Sequence, residues 1–291
     1  MNIRLNFLLL VRPYQHIKNL FVFAPLFFAG RVGNVQLVWN AFIAFAAFSL
    51  TAGAVYIFND YHDMEKDRHH PEKRNRPLAS GAASATQAFF LMAMLAAAGG
   101  GLISILGAVA FFILAAYAAM NIAYTLYLKH VAILDVITIA IGFVLRLFIG
   151  SAATGIPLSI WIVVMTFLLA LFLALAKRRD DVLIYLDTGE KMRKIIDGYN
   201  IHFLNTAMGI MASVVIVAYT IYTTSEDIVE KFHSHYLYIT VIFVILGILR
   251  YLQITLVMED SSSPTRIIMK DRFIQWTLAG WIVCFAWILY L

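Results

Sequence analysis

Residues 41–68 read AFIAFAAFSLTAGAVYIFNDYHDMEKDR, an apolar run that ends abruptly in a strongly charged segment. The run 41–58 has no charged residue and is close to the roughly 20 apolar residues that cross a bilayer. Successive residues of a helix turn by roughly 100°. If the helix continues past the run, one of its faces therefore carries the four residues of an N-D-x-x-D-x-x-x-D pattern: Asn59, Asp60, Asp63 and Asp67.

Three carboxylates on one helix face repel each other unless a cation lies between them. Mg²⁺ commonly takes one or two carboxylates together with the oxygens of a bound phosphate. The alternative is a solvated acidic helix end, but acidic residues at a helix C-terminus oppose the helix dipole. We therefore expect Asp60, Asp63 and Asp67 to hold Mg²⁺ and to serve catalysis.

The composition predicts a polytopic membrane protein. The chain has 291 residues, of which 62% are hydrophobic and 13% charged, and its mean hydropathy is +0.82. Cys284 is the only cysteine, so an intramolecular disulfide and a cysteine metal cluster are excluded. The net charge of +5 is compatible with a nucleic-acid partner, but its distribution along the chain, described below, argues against one.

Hydropathy predicts nine membrane-spanning helices, so that the two termini lie on opposite sides. The first span is the weakest, because Lys18, Pro25 and Gly30 interrupt it. The predicted spans are roughly residues 17–35, 38–58, 86–106, 108–128, 131–151, 158–176, 202–223, 236–257 and 272–290.

The positions of the basic residues orient these spans. All Lys and Arg residues except Arg31, Arg146 and Lys231 fall on the side that contains the N-terminus, which the positive-inside rule identifies as cytoplasmic. We thus predict a single transmembrane catalytic domain over residues 1–291 in a bacterial-type cytoplasmic membrane. Its active-site loops would be residues 59–85 and 177–200, both cytoplasmic.

Two clusters of cations accompany these loops. Lys73, Arg74 and Arg76 follow the acidic face, where they either contact phosphate or simply obey the positive-inside rule and meet anionic lipid. As a set beside three carboxylates, they favour phosphate contact. The second cluster is Lys177, Arg178 and Arg179, directly followed by Asp180 and Asp181, which leaves open a local salt-bridged helix end.

A few ionisable residues lie at or inside the predicted spans. Arg146 is within a span, where a charge is costly and marks a functional candidate, although snorkelling to the outer surface is an alternative. Lys129 closes the fourth span and Asp135 opens the fifth. An ionisable residue at the edge of a span often simply lies at the membrane interface, and for Asp135 this alternative is as strong as a functional role. Lys18 belongs to a polar face that enters the first span and also includes Arg12, Gln15 and Asn19.

The pattern from Asn59 to Asp67 resembles the first aspartate-rich motif of the UbiA superfamily of intramembrane prenyltransferases. That resemblance implies an all-α integral membrane protein with nine transmembrane helices around a central cavity, open to the cytoplasmic side, with Mg²⁺ and a diphosphate at its mouth. Typical members carry a second D-x-x-x-D motif after the sixth span. Here that place reads KRRDD over residues 177–181, which suits a substrate with additional phosphate groups.

Further segments are similar to one branch of the superfamily, the decaprenyl-phosphate phosphoribosyltransferases of cell-wall biosynthesis. The segments are RPYQHIKN at 12–19, AVY at 54–56, HPEKRNRP at 70–77, LKH at 128–130, LR at 145–146 and AKR at 176–178. The branch implies transfer of phosphoribosyl from phosphoribosyl pyrophosphate to a polyprenyl phosphate. The implied substrate-binding residues are Lys18, Tyr56, Asn59, Lys73, Arg74, Arg76, Lys129, Arg146, Arg178 and Asp181, with Lys177 beside the aspartates in catalysis.

Two alternatives stay open at this point. One is an ordinary UbiA-type prenyltransferase that moves a prenyl group from its diphosphate to an aromatic or other acceptor. The other is a transporter or channel, which would place charged residues deep in several spans, whereas Arg146 is the single candidate in this sequence. The sequence leaves a homo-oligomer open.

Overall fold

The structure is a computed structural model that describes residues 8–69, 73–189, 197–258 and 264–290. In these ranges the secondary structure is helical, and eight helices are long and apolar enough to cross a membrane. The α-helices are α1 Ala24–Phe28, α2 Val35–His62, α3 Met64–Arg68, α4 Ala85–Ser104, α5 Ala108–Leu126, α6 Leu134–Thr154, α7 Ile160–Thr188, α8 Ile201–Thr224, α9 Glu226–Phe232, α10 Val241–Leu256, α11 Pro264–Lys270 and α12 Arg272–Tyr290.

The first predicted span, residues 17–35, has a different local structure. It begins as a 3₁₀ helix over Pro13–Phe23, which continues directly into α1. A 3₁₀ helix rises by about 2.0 Å per residue and an α-helix by about 1.5 Å, so the two pieces together extend roughly 30 Å, the thickness of the hydrocarbon core. A ninth crossing by this segment stays a prediction.

Side-chain caps explain where several of the long helices begin. The Asn34 side chain accepts a hydrogen bond from the Leu37 backbone N–H at the start of α2, at 3.2 Å. Ser84 and Gln87 form a reciprocal capping box at the start of α4, with hydrogen bonds of 3.2 and 3.0 Å. Such side chains satisfy N–H groups that the first turn leaves without intrahelical partners.

The predicted loop 177–200 is largely helical in its first half. Helix α7 continues through Thr188, because Lys, Arg and Asp at its end are compatible with a helix, while hydropathy detects only where the membrane ends. Residues 190–196 of that loop, and residues 70–72 of the predicted loop 59–85, lie outside the described residues. In the loop 59–85, α2 likewise extends to His62 and α3 follows.

The chain divides into two compact units, one formed by residues 1–129 and 141–158, the other by 130–140 and 159–291. The prediction of a single catalytic domain stays a prediction.

In the first unit two glycines allow close helix contacts. A Cβ at Gly99 of α4 would lie 2.4 Å from Thr51 Oγ1 of α2. A Cβ at Gly150 of α6 would lie 2.0 Å from the Val22 carbonyl oxygen, so the 3₁₀ helix lies directly against α6.

The second unit is built around α7, α8 and α10. Phe172 of α7 and Tyr251 of α10 pack edge to face, with ring centroids 5.5 Å apart, beside the fully buried Leu204 of α8. At the end of α10, Arg250 Nη2 donates to Asp271 Oδ2 at 2.7 Å, and Asp271 also accepts from the Ile274 N–H of α12. The ion pair therefore fixes the start of α12 against α10.

Candidate active site

The acidic segment keeps a helical path but turns at Asp63. Helix α2 ends at His62 and α3 begins at Met64, while the Asp63 N–H donates to the Asn59 carbonyl at 3.0 Å. The Asp67 N–H in turn donates to the Asp63 carbonyl at 2.9 Å. The i to i−4 hydrogen bonds therefore continue across the turn, as the sequence predicts.

Asp60 and Asp67 converge on one guanidinium group. Arg76 Nη1 donates to Asp60 Oδ1 at 2.9 Å and to Asp67 Oδ2 at 2.5 Å. Asp60 also forms an ion pair with Arg12. Both carboxylates are almost fully buried, at 2% and 5% exposure, and buried charges persist only when paired. Arg76 thus occupies the position between two carboxylates that a bound cation would take.

Asp63 has a different partner. Its Oδ1 accepts from Lys129 Nζ at 2.6 Å, and the lysine is itself buried. Burial alone raises the pKa of Asp63, but the hydrogen bond and charge of Lys129, with the charges of Lys66 and His62, outweigh it and lower the pKa below its ordinary value. Asp63 is therefore ionised at neutral pH.

The three predicted metal ligands are not gathered around one point. Within the described ranges no group of three or more His, Cys, Asp or Glu side chains is placed to hold a metal ion. The physical reason is that cations of the chain already neutralise each aspartate: Arg12 and Arg76 at Asp60, Arg76 at Asp67, and Lys129 at Asp63. The buried oxygens of Asp60 and Asp67, both within 2.9 Å of one nitrogen, nevertheless fit a hard divalent cation.

Arg12 contacts the acidic segment but is absent from the predicted set of site residues. It has a left-handed backbone with φ of 53°, unusual for a residue other than glycine. Its guanidinium lies 5.4 Å from the ring centroid of Tyr56, a predicted substrate-binding residue, besides pairing with Asp60. The sequence signal was its place on the polar face that includes Lys18, but its partner lies 48 positions away.

Arg146 does not snorkel to a membrane surface. It is 5% exposed, and its guanidinium carbon lies 4.7, 5.3 and 5.1 Å from the ring centroids of Phe48, Tyr117 and Phe143. Its Nε donates to Asn19 Oδ1 at 2.9 Å. The snorkelling alternative is therefore wrong, and the polar face of the 3₁₀ helix meets Arg146.

The remaining predicted residues of the first unit lie around the acidic segment. Asn59 Oδ1 accepts from Thr125 Oγ1 at 3.3 Å. Lys73 is half-buried in a short 3₁₀ turn, whereas Arg74 beside it is exposed. Lys18 is half-buried on the 3₁₀ helix.

The predicted residues of the second unit form a network of their own at the end of α7. Arg178 is 1% exposed and pairs with Asp135 and with Asp181. The Tyr199 hydroxyl donates to Asp135 Oδ1 at 2.6 Å, and burial followed by this hydrogen bond raises the pKa of Tyr199. Lys177 is half-buried on the same helix. Asp135 is therefore a buried partner of Arg178 rather than an interfacial residue. Nothing in the sequence pattern indicated that Tyr199 belongs to this network.

Comparison with known proteins identifies the family. The sequence model of the UbiA prenyltransferase family matches residues 19–275. The decaprenyl-phosphate phosphoribosyltransferase of Mycolicibacterium smegmatis is 33% identical over 282 residues, which cover 94% of this chain and 88% of that protein. The protein of the same name from Corynebacterium glutamicum is 29% identical over 285 residues, covering 97% and 86%.

Solved structures agree in fold. A UbiA homologue from Archaeoglobus fulgidus bound to GPP and Mg²⁺ aligns with a TM-score of 0.72 at 18% identity, over 98% of this chain and 100% of that one. The same homologue bound to DMAPP and Mg²⁺ gives 0.73 at 18% identity, over 98% and 99%. These likenesses confirm the predicted all-helical membrane fold. The chain belongs to the UbiA prenyltransferase family.

Proposed function

We propose that this chain transfers the 5-phosphoribosyl group of phosphoribosyl pyrophosphate to a polyprenyl phosphate and releases pyrophosphate. The observation that carries the proposal is its likeness, at 29–33% identity over nearly its whole length, to proteins named decaprenyl-phosphate phosphoribosyltransferase. We also propose that the protein lies in a cytoplasmic membrane of bacterial type. The N-terminus and the acidic segment would be on the cytoplasmic side, because the basic residues concentrate there.

We assign Mg²⁺ to the acidic segment. Asp60 and Asp67 would hold the ion, and Asp63 lies between them on the same helical segment. When bound, Mg²⁺ supplies positive charge that stabilises the negative charge developing on departing pyrophosphate. The related structures with Mg²⁺ and prenyl diphosphates support a divalent cation.

The charge balance of the segment indicates how the cation enters. The carboxylates of Asp60, Asp63 and Asp67 are already matched by three cations of the chain, Arg12, Arg76 and Lys129. A divalent cation arriving alone would leave an excess of positive charge in a largely buried place, which is unfavourable. We therefore expect Mg²⁺ to bind together with the pyrophosphate group of the donor.

In this proposal the cations of the chain exchange one anionic partner for another. Arg76 and Lys129 now contact carboxylates at 2.5–2.9 Å, and on substrate binding they would contact phosphate oxygens instead. Arginine suits this role because its planar fork can bind phosphate with two parallel hydrogen bonds. The other proposed phosphate contacts of the first unit are Lys73 and Arg74, while Asn59 and Tyr56 would position the donor. For Lys177, Arg178 and Asp181, which belong to the second unit, a part in substrate binding or catalysis stays a prediction.

The reaction needs no general base. The bond between ribose C1 and the pyrophosphate oxygen breaks, the electron pair leaves with pyrophosphate, and an oxygen of the lipid phosphate forms the new bond to C1. That oxygen is already anionic at neutral pH, so no proton has to be removed. Attack from the face opposite the leaving group inverts C1 and gives a β-linked product.

Transfer of a prenyl group from a prenyl diphosphate is the second candidate function. The Archaeoglobus fulgidus homologue bound to GPP or DMAPP supports it, because it shares the fold. The cations Arg12, Lys18 and Arg146 in the first unit argue against it, since a prenyl diphosphate and an aromatic acceptor present two phosphate groups, whereas phosphoribosyl pyrophosphate and a polyprenyl phosphate present four.

A transfer assay tests the proposal. Purified chain in detergent is incubated with Mg²⁺, radiolabelled phosphoribosyl pyrophosphate and a short polyprenyl phosphate, and label is counted in the organic phase. We expect transfer by the wild type, a large loss in Asp67→Asn, and no change in Lys231→Gln, which removes an exposed charge. Label that stays in the aqueous phase, with turnover of a prenyl diphosphate instead, would contradict the proposal.

A further inference from the structure

The chain enters α6 through a strained turn. Ile133, the residue directly before α6, has a left-handed backbone with φ of 71°. A β-branched residue is a clear outlier in that region, because its side chain crowds the backbone. The Ile133 side chain is 54% exposed, so its own packing does not compensate for the strain. Such a conformation persists only where surrounding contacts impose it, and residues of this kind cluster at functional sites.

The contacts that impose this turn come from two residues shortly before α8. The Tyr199 hydroxyl accepts a hydrogen bond from the Ile133 backbone N–H at 2.7 Å. A Cβ at Gly198 would lie 2.7 Å from the Ala132 Cβ, so the two backbone segments approach more closely than another residue would permit. The buried Tyr199 ring stacks on Phe203 of α8, with ring centroids 6.0 Å apart. Packing on α8 therefore fixes the hydroxyl that holds the turn.

The same hydroxyl also holds a carboxylate. It donates to Asp135 Oδ1 at 2.6 Å, while Asp135 Oδ2 accepts from Arg178 Nε. Burial, followed by the hydrogen bond to Asp135, raises the pKa of Tyr199, so the hydroxyl keeps its proton at neutral pH. Both oxygens of the carboxylate are thus bound, and Asp135 is 0% exposed, so solvent cannot replace either partner. The carboxylate therefore cannot rotate without breaking a hydrogen bond.

Arg178 receives its orientation from two carboxylates. Its Nε donates to Asp135 and its Nη1 to Asp181, and the arginine is buried. Asp181 lies three residues further along the same helix, so it moves with Arg178 and cannot anchor it to another element. Asp135 belongs to α6 and is the partner that Tyr199 fixes. Because a guanidinium is a planar fork, the direction of the whole fork follows from this anchored pair.

We propose that Tyr199 is a positioning residue which, acting through Asp135, sets the orientation in which Arg178 meets a phosphate group of a substrate. The proposal rests on the proposed function and on the predicted part of Arg178 in substrate binding. The phosphate belongs to phosphoribosyl pyrophosphate or to the polyprenyl phosphate, and both present the same kind of oxygen to a guanidinium. Loss of the Tyr199 hydroxyl should therefore weaken substrate binding only while Arg178 is present.

The kinetics of Tyr199→Phe test this role. Phenylalanine keeps the ring that stacks on Phe203 and removes only the hydroxyl. Misplacing a charged hydrogen bond to phosphate weakens binding by roughly 10-fold, so KM for at least one of the two substrates should rise by that factor while kcat changes little. The substrate whose KM rises identifies the source of the phosphate. Tyr236→Phe, at an exposed tyrosine of the same unit, is the matched control and should leave both KM values unchanged.

A double variant separates positioning from a purely structural role. Arg178→Gln should raise the same KM, and adding Tyr199→Phe to it should raise that KM no further, because the hydroxyl acts through the arginine. If the hydroxyl only stabilised the turn, Tyr199→Phe would lower the melting temperature and leave both KM values as in the wild type. Where Tyr199→Phe is too unstable to assay, Ile133→Gly is added, because glycine adopts a positive φ without strain and the side chain it removes is exposed.

A binding measurement without turnover makes the inference independent of the transfer reaction. Titration calorimetry with phosphoribosyl pyrophosphate and Mg²⁺, and with a short polyprenyl phosphate, compares the wild type, Tyr199→Phe and Arg178→Gln. A Kd that is roughly 10-fold weaker for the same ligand in both variants supports the inference even if the wild type transfers nothing. Failure of the proposed function has a different signature, which is the absence of transfer by the wild type whatever Tyr199→Phe binds.

The inference is overturned if Tyr199→Phe binds both ligands as the wild type does, or if neither ligand binds the wild type. It is also overturned if Tyr199→Phe lowers kcat alone, or if its effect on KM is undiminished when Arg178→Gln is already present.

Discussion

Replacement of Arg76 by methionine tests whether this arginine occupies the position of the metal. Methionine keeps much of the side-chain volume and removes the charge between Asp60 and Asp67. Asp60 retains Arg12, but Arg76 is the cation paired with Asp67 among the described residues, and Asp67 is 5% exposed. Breaking a buried ion pair by removing one partner costs about 3–5 kcal/mol.

The magnitude is taken at the lower end of that range, because Arg76 itself is 24% exposed. A loss of about 3 kcal/mol lowers the melting temperature by roughly 6 °C for a protein of this size. We expect this loss in buffer with EDTA, measured by intrinsic fluorescence in detergent. Mg²⁺ added without substrate should recover most of it in Arg76→Met, since the two carboxylates are then open to a cation.

The wild type should respond differently to the same titration. Its carboxylates are already neutralised, so Mg²⁺ alone should stabilise it little, while Mg²⁺ with phosphoribosyl pyrophosphate should stabilise it strongly. Arg76→Lys is the control that keeps a charge at the position. Equal stabilisation of wild type and Arg76→Met by Mg²⁺ alone would refute the reasoning that Arg76 and the cation compete for Asp60 and Asp67.

Three further changes test other parts of the structure. Gly150→Ala places a methyl group against the Val22 carbonyl oxygen, so we expect a melting temperature several degrees lower; an unchanged melting curve would contradict the close packing of the 3₁₀ helix on α6. The hydrogen bond and charge of Arg250 outweigh burial and lower the pKa of Asp271, so this carboxylate contributes stability above its unfolded pKa of about 3.9 that is lost as pH falls through the folded value. Asp271→Asn should therefore melt below the wild type at pH 7, and the gap between the two melting temperatures should narrow as pH falls below the unfolded pKa; a gap of the same size at pH 7 and at pH 3 would rule out the ion pair as its cause. Asp135→Asn removes the more deeply buried of the two carboxylates that pair with the Arg178 guanidinium, and we expect about 3 kcal/mol of destabilisation by denaturant unfolding; a loss below 1 kcal/mol would show that Asp181 alone neutralises the arginine.

The sequence predicts the helices well because their signal is local. Eight of the nine predicted spans correspond to helices that begin within a few residues of the prediction. The first span is instead a 3₁₀ helix that continues into α1, and α7 continues through its charged end to Thr188. Hydropathy reports where apolar surface ends, and a helix of Lys, Arg and Asp can continue beyond that point.

The site was predictable in its residue types and not in its pairings. The spacing of Asp60 and Asp67 predicts that they lie on one helix face, and their shared contact with Arg76 agrees with this. Asp63 pairs with Lys129, which is 66 positions away, and such a contact depends on tertiary packing that spacing does not encode. The aromatic rings that contact Arg146 likewise come from three helices, α2, α5 and α6, and sequence spacing does not predict that they meet.

Mass spectrometry of the lipid product tests the central claim most directly. The purified chain is given Mg²⁺, a polyprenyl phosphate, phosphoribosyl pyrophosphate and, in a parallel reaction, a prenyl diphosphate with an aromatic acid. The account predicts a lipid whose mass has increased by one phosphoribosyl group, formed only in the first reaction and lost in Asp67→Asn. An unchanged lipid in the first reaction, with a prenylated acid in the second, would contradict it.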